Sequence, residues 1–344
     1  MKEDPTNRKA LGNYLSTHIE RDQYFYGKGK ILLSGEYFIL DGACSIALPT
    51  ALGQSLSVKY RRSFDPKLYW KALDSKGNTW FEATFEFWHF SCLDHKDNAY
   101  AKKLEHILNM VRSQNKHFLR DGVDVFVETK LEFPMDWGLG SSSSLIYNIA
   151  QWAYISPFEL LSQTFGGSGY DIACAQAVGP IIFKKVGTTP TWSQVEFNPV
   201  FKENLYFVHL EKKQSTSEAI EFYRRASVKK NELAIKLTDI TKNLLKTNNL
   251  EEFEFLIAGH EKIVANALEM TRVKQKYFDD FWGEVKSLGA WGGDLVLATS
   301  TRGHDQTCEY FKSKGFPEVI AFNKLVELPE RAVSEVVKSE RVLQ

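Results

Sequence analysis

Residues 122–144 form a unit that admits few folds: an alternating run, a proline stop, a glycine turn and an amphipathic helix, in that order. Val123, Val125, Val127, Thr129, Leu131 and Phe133 share one face, and Asp124, Glu128, Lys130 and Glu132 the other, which is the period of a half-buried strand. Pro134 cannot donate to a ladder and ends it. Past Pro134-Met135-Asp136-Trp137-Gly138-Leu139-Gly140-Ser141-Ser142-Ser143-Ser144, apolar residues from Leu145 to Ala153 recur at helical spacing. The first amides of that helix, near Ser142 to Ser144, have no intrahelical acceptor and lie at the positive end of the helix dipole. Two glycines before them let the backbone approach a ligand closely, so the string reads as a phosphate seat. The bland alternative is a capped turn without a ligand, but four serines exceed what capping needs. No Gly-x-x-x-x-Gly-Lys-Ser/Thr occurs, and a serine replaces the third glycine of the dinucleotide fingerprint.

The rest of the chain is mixed. Residues 25–58 are mostly apolar and broken by Gly29, Gly35, Gly42 and Pro49, which predicts short strands joined by tight turns. Further strands are predicted at 68–70 and 79–90, and a helix over 99–118. Ser156-Pro157-Phe158-Glu159 writes a helix start, with an N-cap serine, proline at the first position and a capping-box glutamate. Residues 187–204 read as a turn-rich connection and a domain boundary. Beyond it come a strand at 205–210, helical stretches over 218–281, a strand at 295–299, a helix at 305–314 and a strand at 319–322. At ~150 residues per domain, 344 residues suggest two domains, the second a β-then-α layer.

Composition removes several functions. Lys plus Arg and Asp plus Glu are both 43, a net charge of zero, and the basic residues are scattered pairs such as Arg61-Arg62. A nucleic-acid binder would show a basic excess or stripe. No run reaches the roughly 18 apolar residues of a membrane span, and Met1 to Ala10 is polar, so a cytoplasmic protein is expected. Cys44, Cys92, Cys174 and Cys308 are far apart, which argues against a disulfide framework or a zinc site. The eight histidines lack paired ligand spacing, so an imidazole-held metal has no support. Small-molecule partners remain.

Three other strings accompany the serine loop: Gly29-Lys30-Ile31-Leu32-Leu33-Ser34-Gly35-Glu36-Tyr37, Gly166-Gly167-Ser168-Gly169-Tyr170-Asp171-Ile172-Ala173, and Lys286-Ser287-Leu288-Gly289-Ala290-Trp291-Gly292-Gly293-Asp294. Read alone, Asp171 is a first-turn aspartate stabilised by a helix dipole, and Lys30 a surface lysine at a strand start. Together the four strings resemble the GHMP kinases, the superfamily of galactokinase and of homoserine, mevalonate and phosphomevalonate kinases. Gly-Tyr-Asp-Ile-Ala is the string that names one subgroup of them. The second string is similar to the segment carrying the family's catalytic aspartate, and the third to its C-terminal glycine loop, with Trp291 where a glycine is usual.

The resemblance implies an α+β fold of two domains: a βαβ nucleotide-binding domain over 1–190 and a ferredoxin-like domain over 191–344. It implies ATP and Mg2+ as cofactors and phosphoryl transfer to a hydroxyl or phosphate acceptor, with mevalonate and phosphomevalonate unresolved. By resemblance Asp171 is the base and Lys30 its electrostatic partner. Gly138, Leu139, Gly140, Ser141, Ser142, Ser143 and Ser144 cradle the phosphates. Ser142 reaches the metal; the family's second metal ligand aligns with Leu160, whose neighbour Glu159 is a candidate that also serves the capping box. Ser168, Gly169, Gly289, Gly292 and Gly293 support the substrate. Glu36 orders Lys30 or the substrate, or forms a structural ion pair. Lys212-Lys213-Gln214-Ser215-Thr216-Ser217 resembles a loop near acidic substrates, with an exposed turn in which Ser217 caps the next helix as the alternative. Expected partners are a small acidic alcohol or its phosphate and, for assembly, a second copy in a homodimer. The rival from another class is a non-catalytic nucleotide sensor or scaffold that kept the fold.

Overall fold

The computed structural model describes residues 22–119, 122–211, 216–291 and 293–329. The polar start of the chain, the Lys212 to Ser215 string and Gly292 lie outside the described residues.

The first layer is a seven-stranded sheet. β1 (Gln23–Leu32) and β2 (Ser45–Arg62) pair antiparallel, with a short 3-10 turn at Phe38–Asp41 between them. β3 (Lys67–Leu73) and β4 (Thr79–Glu86) form a hairpin, and helix α1 (Ala99–Gln114) covers them, capped by the Asn98 side chain on the amides of Tyr100 and Ala101. β5 (Val123–Leu131) runs antiparallel to β2 and parallel to β3. Its alternation is as read: Val125, Val127, Thr129 and Leu131 are buried. β2 is one strand of 18 residues, not the short pieces expected. It holds together because it pairs with β1, β5 and β6 in turn, and Pro49, which lacks an amide, sits at a register shift against β1.

After β5 come α2 (Ser141–Ala153), α3 (Pro157–Thr164) and α4 (Tyr170–Gln176). The α3 start is as read, with Ser156 Oγ accepting from the Glu159 amide. β6 (Ile181–Val186) and β7 (Thr189–Gln194) then extend the first sheet as a hairpin, giving the order β4-β3-β5-β2-β6-β7 with β1 on β2. The segment read as a connection from residue 187 therefore contains a strand, and the change of sheet falls between Gln194 and Leu205.

The second layer is a four-stranded antiparallel sheet in the order β11-β8-β10-β9: β8 (Leu205–His209), β9 (Val285–Ser287), β10 (Leu295–Thr299) and β11 (Val319–Ala321). The helices of this half are α5 (Thr216–Arg225), α6 (Lys230–Leu244), α7 (Leu250–Ala267), α8 (Val273–Tyr277), α9 (Gly303–Ser313) and α10 (Phe322–Leu325); α5 and α6 pack on the Phe38–Asp41 turn through Tyr223, Ala234 and Leu237. α5 is described from Thr216, which places Ser217 within the helix. A core cluster joins the layers, with Ile31, Leu48 and Phe133 from the first packed with Phe207, Leu288 and Leu297 from the second. No helix among the described residues is long and apolar enough to cross a membrane.

Candidate active site

Where the two layers meet, a cavity of about 430 Å³ is lined by the ends of β1, the loop before α2, the start of α4 and the turn before β10. That volume is in the range of small-molecule sites.

The loop is built so that its carbonyls face protein and its amides do not. The Lys30 amide donates to Leu139 O at 2.9 Å, Lys30 Nζ donates to Gly138 O at 2.7 Å, and His209 Nε2 is 3.0 Å from Asp136 O. Gly138 and Gly140 adopt φ of +66° and +88°, which L side chains rarely tolerate. A Cβ on Gly140 would also lie 3.0 Å from Lys30 Cγ, so the glycine lets the lysine stem pass. The amides of Ser143 and Ser144 are bonded to Gly140 O. Those of residues 138–142 have no partner among the described residues. The amides left without a partner therefore lie at 138–142, nearer the glycines than the 142–144 amides that the sequence suggested.

Asp171, the second residue of α4, lines the same cavity. Its carboxylate is fixed from two sides: Ser143 Oγ donates to Oδ2, and the Ile172 amide donates to Oδ1 at 3.1 Å. Lys30 faces it across the cavity with the Tyr170 ring 5.9 Å from Nζ. Burial pulls the Lys30 ammonium below the usual lysine range, while Asp171 and Asp294 oppose that pull.

Lys30, Glu36, Gly138, Leu139, Gly140, Ser141, Ser142, Ser143, Ser168, Asp171 and Gly289 thus meet at one cavity. Four expected residues do not line it. Ser144 is fully buried and donates to Gln54 Oε1 at 2.8 Å, because it lies on the inner face of α2. Glu159 stays at the α3 start, where its carboxylate accepts from Gln163 Nε2 at 3.4 Å, away from the cavity lining. Gly169 is the positive-φ residue before α4, packed on Phe158. Gly293 does not line it, although its neighbour Asp294 does. Trp291 turns away from the cavity, its amide donating to Tyr37 Oη at 2.9 Å and its side chain packed with Tyr37, Phe38 and Leu268.

Glu36 lines the cavity but does not order Lys30. Its carboxylate is held by Lys286 Nζ, which also donates to Ser287 O at 2.8 Å; both side chains are buried. His260 closes the other side of Glu36. The Gly35 amide donates to His260 Nε2 at 2.8 Å, so that nitrogen carries no proton and its 3.1 Å approach to Glu36 is not an ion pair. Burial and Lys286 hold the imidazole neutral, well below its usual range. Glu261 completes the cluster, accepting the Ser287 amide at 2.9 Å.

Burial pushes the Glu261 carboxyl from its ordinary 4.5 up to about 8, with Lys286 opposing and Glu36 adding to the rise. The folded chain then keeps a proton that the unfolded chain releases near pH 4.5. Stability must fall as pH rises between those values. Glu261→Gln keeps an acceptor for the Ser287 amide and removes the charge. Scanning calorimetry should find the variant more stable than the parent near pH 8, with the gap closing toward pH 5. An equal offset at every pH would refute the proton held at Glu261.

Sequence reading assigned no role to Asp294, Lys286, Tyr170 or Lys103, although all but Lys103 stand in the quoted strings. Tyr170, Lys103 and Asp294 line the cavity.

This two-layer fold with a serine-glycine loop at its seam is the fold of the GHMP kinases. No family model matches the chain, and no curated protein matches it in sequence. Solved structures do. A mevalonate kinase of Methanococcus jannaschii aligns with TM-score 0.65 at 12% identity over 90% of this chain and 99% of that one. A Lactococcus lactis galactokinase complexed with galactose gives 0.60 at 13%, covering 94% and 98%. A Streptococcus pneumoniae phosphomevalonate kinase, in complex with phosphomevalonate and AMPPNP, gives 0.58 at 16%, covering 85% and 95%.

Proposed function

We propose that this chain is an ATP-dependent small-molecule kinase of the mevalonate-pathway type, moving the γ-phosphoryl group of ATP onto mevalonate or phosphomevalonate. The observation that carries the reading is the convergence of the unpaired 138–142 amides with Asp171 and Lys30 on one cavity. The kinase neighbours of the same fold support it. In this reading the first sheet, through Gln194, carries the nucleotide, and the second closes over the acceptor.

The residues suit a polyphosphate: amides without partners, two positions with no Cβ and a nearby ammonium. Among the described residues no group of three or more carboxylate, imidazole or thiol side chains converges, so a divalent cation would be held mainly by phosphate oxygens and water, with Ser142 as the protein ligand. Such an ion, when bound, would supply charge neutralisation on the nucleotide phosphates. Asp171 takes the proton of an acceptor hydroxyl as the oxygen bonds to the γ-phosphorus and ADP leaves. Lys30 offsets the negative charge carried by the transferred group.

A coupled assay with ATP and Mg2+ against mevalonate, phosphomevalonate, galactose and homoserine tests the reading. Turnover is expected with one of the first two. Turnover with galactose or homoserine alone would refute the pathway assignment. Stabilisation by ATP with no acceptor phosphorylated would favour the sensor.

A further inference from the structure

Asp294 stands where the third glycine-rich turn enters β10, and it is one of the few non-glycine residues with positive φ, at +33°. Such backbone strain persists only where surrounding contacts over-determine it. Its carbonyl accepts the Leu210 amide at 2.8 Å, which ties the turn to the end of β8. Its side chain lies against the nucleotide loop: a Cβ on Gly138 would sit 2.3 Å from Asp294 Oδ2 and 2.7 Å from its Cβ and Cγ. Gly138 in turn offers its carbonyl to Lys30 Nζ.

We propose that Asp294 is a positioning residue for phosphoryl transfer, bracing Gly138 so that its carbonyl holds the Lys30 ammonium, and setting a second negative charge beside that ammonium. The inference rests on the kinase reading and extends it to a residue that never needs to touch the substrate. The groups facing Lys30 are Asp171, Tyr170 and Cys174 from α4 and Asp294 from the turn before β10. Glu36 lines the same cavity but is neutralised by Lys286. In the kinase reading Asp171, fixed by Ser143 Oγ and the Ile172 amide at the cavity wall, serves as the base. Asp294 supplies the charge that keeps Lys30 protonated when Asp171 takes up the acceptor's proton. With only one carboxylate present, the ammonium would lose its counter-charge at that moment.

The test is Asp294→Asn, which keeps the volume against Gly138 and removes the charge. The alkaline limb of the kcat profile should move to lower pH, with kcat roughly tenfold down at pH 8, nearly equal at pH 6, and the KM for ATP within about twofold. In parallel, the pH dependence of Lys30 acetylation by acetic anhydride, read by peptide mass spectrometry, should shift the same way. That second measurement needs no turnover. A shift in Lys30 labelling with an inactive parent would uphold the positioning role and overturn the kinase reading. Labelling that does not move overturns the proposal, as does a kcat loss equal at every pH, which is what a merely structural residue would produce.

Discussion

Replacing Asp171 by asparagine should lower kcat by at least ~10²-fold and leave ATP affinity close to that of the parent, the lower end for loss of a positioned general base. The substitution is nearly isosteric: the asparagine Oδ1 can still accept the Ile172 amide, and its Nδ2 can donate to Ser143 Oγ, whose hydroxyl rotates to accept. What disappears is the site for the acceptor's proton. In the proposed reading the phosphates sit on another element, at the amides before α2, which makes nucleotide binding separable from chemistry. Isothermal titration with ATP and single-turnover kinetics distinguish the two. Parental turnover in the variant would remove Asp171 from the mechanism. A large loss of ATP affinity would mean that Asp171 belongs to the seat.

The second large effect is on stability. Lys286→Met strips the cation from a buried carboxylate, since Glu36 is 1% exposed and Lys286 is fully buried. Breaking such a pair from one side costs about 3–5 kcal/mol, because the remaining charge is left in a poor solvent. Replacing both partners, Glu36→Gln with Lys286→Met, removes the stranded charge, and the double variant should recover much of the loss. Urea unfolding of the parent, both single variants and the double variant gives the coupling directly. Single-site losses that simply add, within about 0.5 kcal/mol, would show that the pair does not act as a unit. The result bears on function, because the pair joins the turn after β1 to β9 and so holds together the two layers that form the cavity.

The glycine-serine loop was legible because every signal for it is local: the alternation of β5, Pro134, two glycines and the helical spacing of α2 all lie within 35 residues of one another. The α3 start was legible for the same reason. β7 was not, since nearly all its side chains are exposed and carry no alternation, and Gly187 and Pro190 read as turn residues. The length of β2 was hidden by Pro49 and Gly53, whose breaks are overridden by pairing with three different strands. At the site, Asp171 and Lys30 could be named from their motifs. Glu36 was named without its partner, because Lys286 lies 250 positions away and no spacing rule separates a buried lysine from a surface one. Ser144 and Ser143 look identical in sequence, yet the turn of α2 sends one to Gln54 and the other to Asp171. Asp294 acquires meaning only when the second sheet brings it onto Gly138.

Hydrogen–deuterium exchange on the Asp171→Asn protein, with and without ATP and Mg2+, tests the central claim most directly. ATP should slow exchange of the 138–142 amides while acceptor phosphorylation runs at least ~10²-fold below the parental rate. Unchanged exchange in that segment at saturating ATP, or product formed at the parental rate, would contradict the account.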